Sequence, residues 1–487
     1  MNWASVSAAI FMSSFFMLFL TDYAGIDQAI GKIGIAASIA TSVLLVGQLL
    51  DAIDDPLQGW IMDSAKHGRL GKYKKFSLVS VILLLISMIC IYGIPEAVKS
   101  NKVLLIGWIM LFYIMYEIGI SFNAREPLKQ SITNDLTLRA KLTTIPRIVD
   151  IVILFPFALF LSIATVVNQQ VGNMTRTFSI MTAIMMGFVA IISIIGTLMI
   201  KEGKLNSDAI DKKDTYSLKT MFAMFKMNKP LIAHFFATFF QGFMWNLSFA
   251  TALYFIKWAY CYNPLTGATD LPKLGIYVGI LALMQSIPCI LGAFLGQLLV
   301  NKIGDIIKAI KVTLLASCGF SLLLFLSKMI GFLDTMPALY FILLFGQILF
   351  LGIAFLPLSL IWLECIDFAE FKTGKKMGGI IMSTGNFQYK AQGALSSAAV
   401  GGLLITIGYS VDAVSGNFVG DPTTIPSMLN WFMVISALLP TIVGLISIAI
   451  YHFYYPITKE KRADILHKLA EQRGLEDSAA IETAKGS

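Results

Sequence analysis

Three aspartates crowd one stretch of an otherwise apolar segment. In LLVGQLLDAIDDPLQGWIMD, Asp51 and Asp55 stand four residues apart and share a helix face, with Asp54 beside them. Paired carboxylates facing a cavity can supply oxygen ligands to sodium. They can equally hold a proton, because neighbouring like charges resist full ionisation. The alternative is that these acids mark an early helix end and are solvated. Against it, LQGWIMD carries the apolar pattern on past Pro56. Pro56 itself removes a backbone donor and loosens the hydrogen bonding around the site.

A balancing charge appears far along the chain. In GGIIMSTGNFQYKAQGALSSAAVGGLL, Lys390 lies about eleven residues, or roughly 16 Å, inside its apolar segment. Snorkelling to an interface does not cover that distance, so the ammonium needs a carboxylate partner or an aqueous cavity. Asn386, Tyr389 and Gly393 flank it.

Other polar groups have two readings each. Arg147 and Asp150, three apart, either pair with each other at a helix start or leave Arg147 for substrate. Glu117 is a substrate or coupling acid, or the partner of a nearby base; Arg125 and Glu126 close the same segment. His234 is expected to be a boundary residue and not a proton relay. Trp245, with Gln241 and Asn246, either forms a platform for a sugar ring or packs against neighbouring helices.

The elements that must hold these groups are membrane helices. The chain has 487 residues, 57% hydrophobic and only 14% charged, with a mean hydropathy of +0.76. A soluble domain carries about a quarter of its residues as charges. The apolar residues here come in blocks of about 20, the length that crosses a hydrocarbon core of roughly 30 Å as helix. Hydropathy places spans at 4–21, 33–62, 76–94, 103–122, 146–167, 178–200, 230–256, 274–300, 312–330, 338–364, 379–408 and 429–453. The first block, starting almost at Met1, lacks a basic leader and a small-residue cleavage site, so it is expected to be a span and not a signal peptide.

Charge sets the topology. Alternate connections and the tail hold about 28 Lys and Arg, and the opposite set about 7, so the first set and both termini are expected in the cytosol. The net charge of +8 is then a topology signal and gives no reason to invoke nucleic acid. The basic stretch 201–229 separates two groups of six spans and carries an apolar stripe (Leu218, Met221, Phe222, Phe225) suited to a helix on the membrane surface. The expected organisation is 1–200 as one six-helix bundle, 201–229 as cytoplasmic linker, 230–455 as a second bundle and 456–487 as a tail with one soluble helix. Such halves around a central site suit a transporter. A faint echo supports the repeat: Gly59 and Asp63 followed by Arg69, Gly71 and Lys72, against Gly296 followed by Asn301, Lys302 and Gly304. The five cysteines have no metal-like spacing, and the four histidines are scattered, which speaks against an intramembrane metalloenzyme. No cofactor is expected, and a monomer is.

Three blocks resemble the glycoside–pentoside–hexuronide:cation symporters, a branch of the major facilitator superfamily that includes the melibiose permease. They are TDYAG at 21–25 with DAIDDPLQGWIMD and RLGKYKKF; TNDLTLRAKLTTIPR ending at Arg147; and IDFAEFKTGKKMGGIIMSTGNFQYKAQGAL. The resemblance spans nearly the whole chain. It implies an all-α fold of twelve transmembrane helices in two six-helix halves and symport of a sugar or glycoside with sodium or a proton. It implies that Asp51 and Asp55 bind the cation, that Lys390 sits between cation and substrate, and that Arg147 contacts substrate. Arg139 would form cytoplasmic gate pairs with Glu364, Asp367 and Glu370. Departures exist. Val6 stands where sugar-transporting relatives carry an acid, ungapped counting puts Phe122 and Glu126 at the family's fourth-helix aromatic and acid, and Asp54 replaces a neutral amide of the melibiose permease. A cavity with fewer polar side chains fits a non-sugar amphiphile such as a lysolipid, the second expectation; a channel ranks below both.

Overall fold

The computed structural model describes residues 2–65, 68, 70, 71, 73–124, 128, 156, 157, 159–200, 225–373, 378–412, 417–419 and 421–472, with the backbone alone at 48–60, 63, 64, 373, 378–380, 382, 383, 386, 466 and 470–472. Within these residues the chain is helical, with isolated bridges and no strand. The helices are α1 Trp3–Leu18, α2 Ile35–Ser64, α3 Lys74–Tyr92, α4 Lys102–Ser121, α5 Phe160–Val171, α6 Met174–Met199, α7 Lys229–Ala250, α8 Leu271–Ile303, α9 Ile306–Met329, α10 Pro337–Thr373 and α11 Gly378–Thr406. The twelfth, α12, joins Ile425–Met433 to Leu439–Phe453 through a π turn at Val434–Leu438, and α13, Lys459–Gln472, is the tail helix. The apolar stripe of the linker lies outside the described residues except for Phe225, whose ring meets Phe235 at 5.4 Å.

Eight helices among the described residues are long and apolar enough to cross a membrane. The helices α2, α7 and α11 also have the length, at 30, 22 and 29 residues, and their sequences carry acids, amides and Lys390. Polar load inside a span is the mark of a site, since lipid offers it no partners. Short polar residues start the helices: the side chains of Asn2, Asn101, Asn173, Asn228 and Asp305 each accept a first-turn N–H. Asp421 does the same for Thr423, and that N–H holds its carboxyl below the ordinary range. The echoed turns share a conformation, with Gly71 and Gly304 at φ 95° and 63°, a region that favours glycine.

The chain forms two compact units, neither contiguous in sequence. The first comprises Met1–Asp211, Ile256–Gly279 and Ser397–Met428. Its core gathers Phe11 of α1, Tyr92 of α3, Phe160 of α5 and Phe178 of α6, with Phe11 edge-on to Phe160 at 4.4 Å. A seam of small polar residues lets the helices approach closely: Asn2 donates to Ser80, Ser80 to the Gly119 carbonyl, and Asn123 to Ser5. Gly47 of α2 gives way to the Tyr113 ring of α4, which fills the space a side chain would need.

The second unit comprises Lys212–Phe255, Ile280–Ser396 and Leu429–Ser487. Here α7 packs along α12, and α9 lies against α10 and α12. Buried polar groups are answered across helices: Gln347 donates to Ser248, and Ser317 donates to the Gln347 carbonyl. The helices α8 and α10 meet backbone to backbone, with Gly292 and Gly296 facing Gly352 and Ile353. A Cβ on Gly292 would lie 2.5 Å from the Gly352 carbonyl carbon. We predict that Gly292→Val lowers the stability of purified protein by about 1–3 kcal/mol through overpacking. A melting midpoint equal to wild type in the same detergent would contradict that packing.

Candidate functional site

α2 runs unbroken through Pro56 to Ser64, so Asp51, Asp54, Asp55 and Gly59 belong to a helix interior and not to its end. That removes the basis for the early-terminus alternative. The side chains of these residues and of Asp63 lie outside the described residues, as do Arg69, Lys72, Arg125, Glu126, Arg139, Arg147 and Asp150 altogether. Gly71 is buried in its turn. Glu117 is buried on α4, one turn beyond Tyr113. Tyr113 meets Gly47, and Asp51 is one turn beyond Gly47. As second and fourth of successive reversing spans, α2 and α4 run the same way, so the backbone positions of Glu117 and Asp51 fall at one level.

In the second unit, α11 is tied to α7 by two amides. Gln388 accepts from the Thr238 hydroxyl at 3.1 Å, and Gln392 donates to the carbonyls of Thr238 and Phe239, each at 2.9 Å. Lys390 is two residues from each and so projects from the opposite side of α11, half-buried, beside an exposed Tyr389. Trp245 of α7 is half-buried, with its ring 5.3 Å from Phe249 and 5.7 Å from Phe355 of α10, while Gln241 is buried and Asn246 half-buried. His234 is a core residue: its Nδ1 lies 2.7 Å from the Tyr451 hydroxyl, and its ring stands edge-on to Trp362. The expected boundary position near the start of α7 is correct along the sequence, but the side chain turns inward.

The acids at the end of α10 have an unanticipated partner. Arg462 of the tail helix α13 pairs with Glu364 at 2.9 Å, and the two line a cleft of about 190 Å³ with Asp367, Ile306, Leu360, Leu363 and Ile465. Glu370 is half-buried two turns further along.

A second charge cluster in the first unit was given no role by the sequence. Asp22 and Lys257, at 0% and 2% exposure, pair at 2.6 Å although 235 residues separate them. The Tyr409 hydroxyl lies 3.1 and 3.0 Å from the two Asp22 oxygens and accepts the Trp258 indole N–H at 2.9 Å. The ammonium also faces the rings of Trp258 and Tyr23, at 4.8 and 5.7 Å. Both charges sit on π turns, Phe19–Tyr23 and Lys257–Cys261. Such turns occur frequently at functional sites. The visible signal was an acid and a base one residue past the expected ends of two apolar segments, at positions that hydropathy assigns to loops.

A family model for MFS/sugar transport proteins matches residues 4–459. The chain belongs to this family. It is an integral membrane transporter and not an enzyme. Symporter YjmB of Bacillus subtilis, itself uncharacterized, is 26% identical over 90% of this chain and 88% of its own length. An isoprimeverose transporter of Lactiplantibacillus pentosus is 23% identical, covering 96% and 89%. The crystal structure of a D-xylose-proton symporter shares the fold, with a TM-score of 0.60 at 12% identity over 93% of this chain and 97% of that one. The family's transport fold accounts for the helices; the Glu364–Arg462 pair adds an attachment of the tail. Removing one partner of a buried pair leaves the other charge uncompensated. Arg462→Ala should therefore release α13, seen as an increase of at least about tenfold in amide hydrogen exchange across 459–472. Unchanged protection would mean that Ile457 and Leu469, both buried, hold the tail without the ion pair.

Proposed function

We propose that this chain couples the inward movement of a sugar or glycoside to that of a sodium ion or proton by alternating access, with both termini in the cytosol of the cell membrane that houses it. The observation that carries this is the continuity of α2 through Asp51, Asp54 and Asp55, in a family member whose relatives include named symporters. A carboxylate cluster in the interior of a membrane helix needs either a cation or a base to neutralise it. Asp51 and Asp55, with Asp54, bind the coupling ion, and Glu117 contacts the substrate. Lys390, Arg147, Glu126 and Trp245 serve the substrate.

Ion binding neutralises the carboxylates and so weakens their hold on Lys390. The bundles 1–200 and 230–455, joined by 201–229, then reorient when both ligands or neither are bound. A membrane potential of 100 mV adds about 2.3 kcal/mol per charge moved. On the cytoplasmic side Glu364, Asp367 and Glu370 form the gate with Arg139 and with the turn carrying Gly59, Asp63, Arg69, Gly71 and Lys72. The sugar assignment is supported by relatives named for lactose and isoprimeverose transport.

Proteoliposomes separate the possibilities. Labelled β-galactosides, pentosides and lysolipids are offered under a sodium gradient or a pH gradient. We expect one sugar class to accumulate under one of the two gradients. Asp55→Asn and Lys390→Val are each expected to reduce accumulation to the level of protein-free vesicles while leaving membrane insertion intact. Gradient-driven accumulation at the wild-type level in either variant removes that residue from the mechanism. Uptake of the lysolipid alone replaces the sugar assignment.

A further inference from the structure

We propose that Asp22, Lys257 and Tyr409 form a lock that holds the non-cytoplasmic end of the transporter shut, and that the lock opens once in every transport cycle. Its placement outside the cell rests on the topology proposed above.

The three residues come from regions that alternating access must separate. Asp22 ends the first span, Lys257 follows the seventh, and Tyr409 follows α11. In this structure the later segments Ile256–Gly279 and Ser397–Met428 are packed into one unit with the first helices. Several contacts among the described residues attach them. Gln28 donates to the Val411 carbonyl at 2.8 Å, Ser162 donates to the Gly275 carbonyl at 2.6 Å, and Thr41 fits against Gly401. The charged cluster is the polar centre of this set. Phe418 meets Trp258 edge-on at 5.4 Å and lies tilted against Tyr409 at 6.1 Å.

Chemistry explains why charge is used here. An apolar plug would favour the closed state in proportion to its buried area. A fully hydrogen-bonded ion pair roughly offsets its own dehydration, so closed and open states stay close in free energy while wrong registers are penalised. The Asp22 carboxylate has Lys257, Tyr409 and the Thr21 hydroxyl around it, the last at 2.7 Å. That set is complete only when the three segments meet. Removing one charge strands the other without water and disfavours the closed state; removing both does not.

The test is a double-mutant cycle read by thiol labelling, with no substrate present. Two reporters are used in a background whose remaining cysteines are replaced: native Cys261, buried beside the cluster, and Ser410→Cys at the buried residue next to Tyr409. Intact cells expressing each protein are treated with a membrane-impermeant maleimide. Asp22→Asn and Lys257→Met are each expected to speed labelling at both reporters by at least about tenfold. The double variant, and the exchanged pair Asp22→Lys with Lys257→Asp, are expected to return towards the wild-type rate. Melting midpoints of the purified single variants should stay within about 4 °C of wild type. Wild-type labelling rates in both single variants overturn the lock. So does faster labelling accompanied by a larger fall in melting midpoint, or a double variant as fast as the singles. Because labelling needs no transport, a failed lock with intact gradient-driven uptake leaves the symporter assignment standing, and an altered lock with no sugar uptake does the reverse.

Discussion

A charged side chain cut off from water persists only where donors or counter-charges converge on it. That constraint organises this protein more than any apolar contact does. Apolar surface is plentiful and interchangeable along the helices, and lipid accepts it as readily as protein does. The charges are few, and each one dictates which segments must be brought together. Asp22 gathers Lys257, Tyr409 and Thr21. Glu364 gathers the tail through Arg462. Even neutral amides obey the same rule, since Gln388 and Gln392 use their polar atoms to bind α11 to α7.

The two units use different means to become rigid. In the first, serines and asparagines bridge α1, α3, α4 and α6 while aromatic rings fill the space between. In the second, glycines bring α8 and α10 into backbone contact, and the Gln347 relay connects α7, α9 and α10. Close packing of this kind resists gradual deformation, so movement is confined to places where contacts are sparse and polar.

Hydropathy made the helices legible because lipid allows the backbone no other structure. The spans expected at 76–94 and 103–122 match α3 and α4 within two residues at each end, and Pro56 did not mislead because the apolar pattern continued beyond it. The partners of charges were not legible. Nothing near Asp22 in sequence points to Lys257, since the two come together only through tertiary packing. Lys257 was further disguised by its place one residue past the expected end of a span at 256, where a lysine normally marks an interface. Arg462 was hidden in the same way, as one basic residue among many in a polar tail. His234 shows the converse: its position along α7 was foreseeable, whereas the side chain's inward turn toward Tyr451 depends on a helix more than 200 residues away.

Hydrogen-bond accounting also narrows where a polar substrate can be held. Gln388 accepts from Thr238 through Oε1 and Gln392 donates to the Thr238 and Phe239 carbonyls through Nε2, so these atoms are committed to helix packing. Gln392 in particular fills the space left by Gly242, so it cannot swing away without opening a void between α7 and α11. Lys390 projects from the other side of α11, half-buried, with the exposed Tyr389 next to it in sequence. Helix packing therefore gives α11 a structural face, which carries Gln388 and Gln392, and an opposite face, which carries Lys390. For the sugar proposed above, recognition has to be built on the second, because taking groups from the first would loosen the bundle that positions the site.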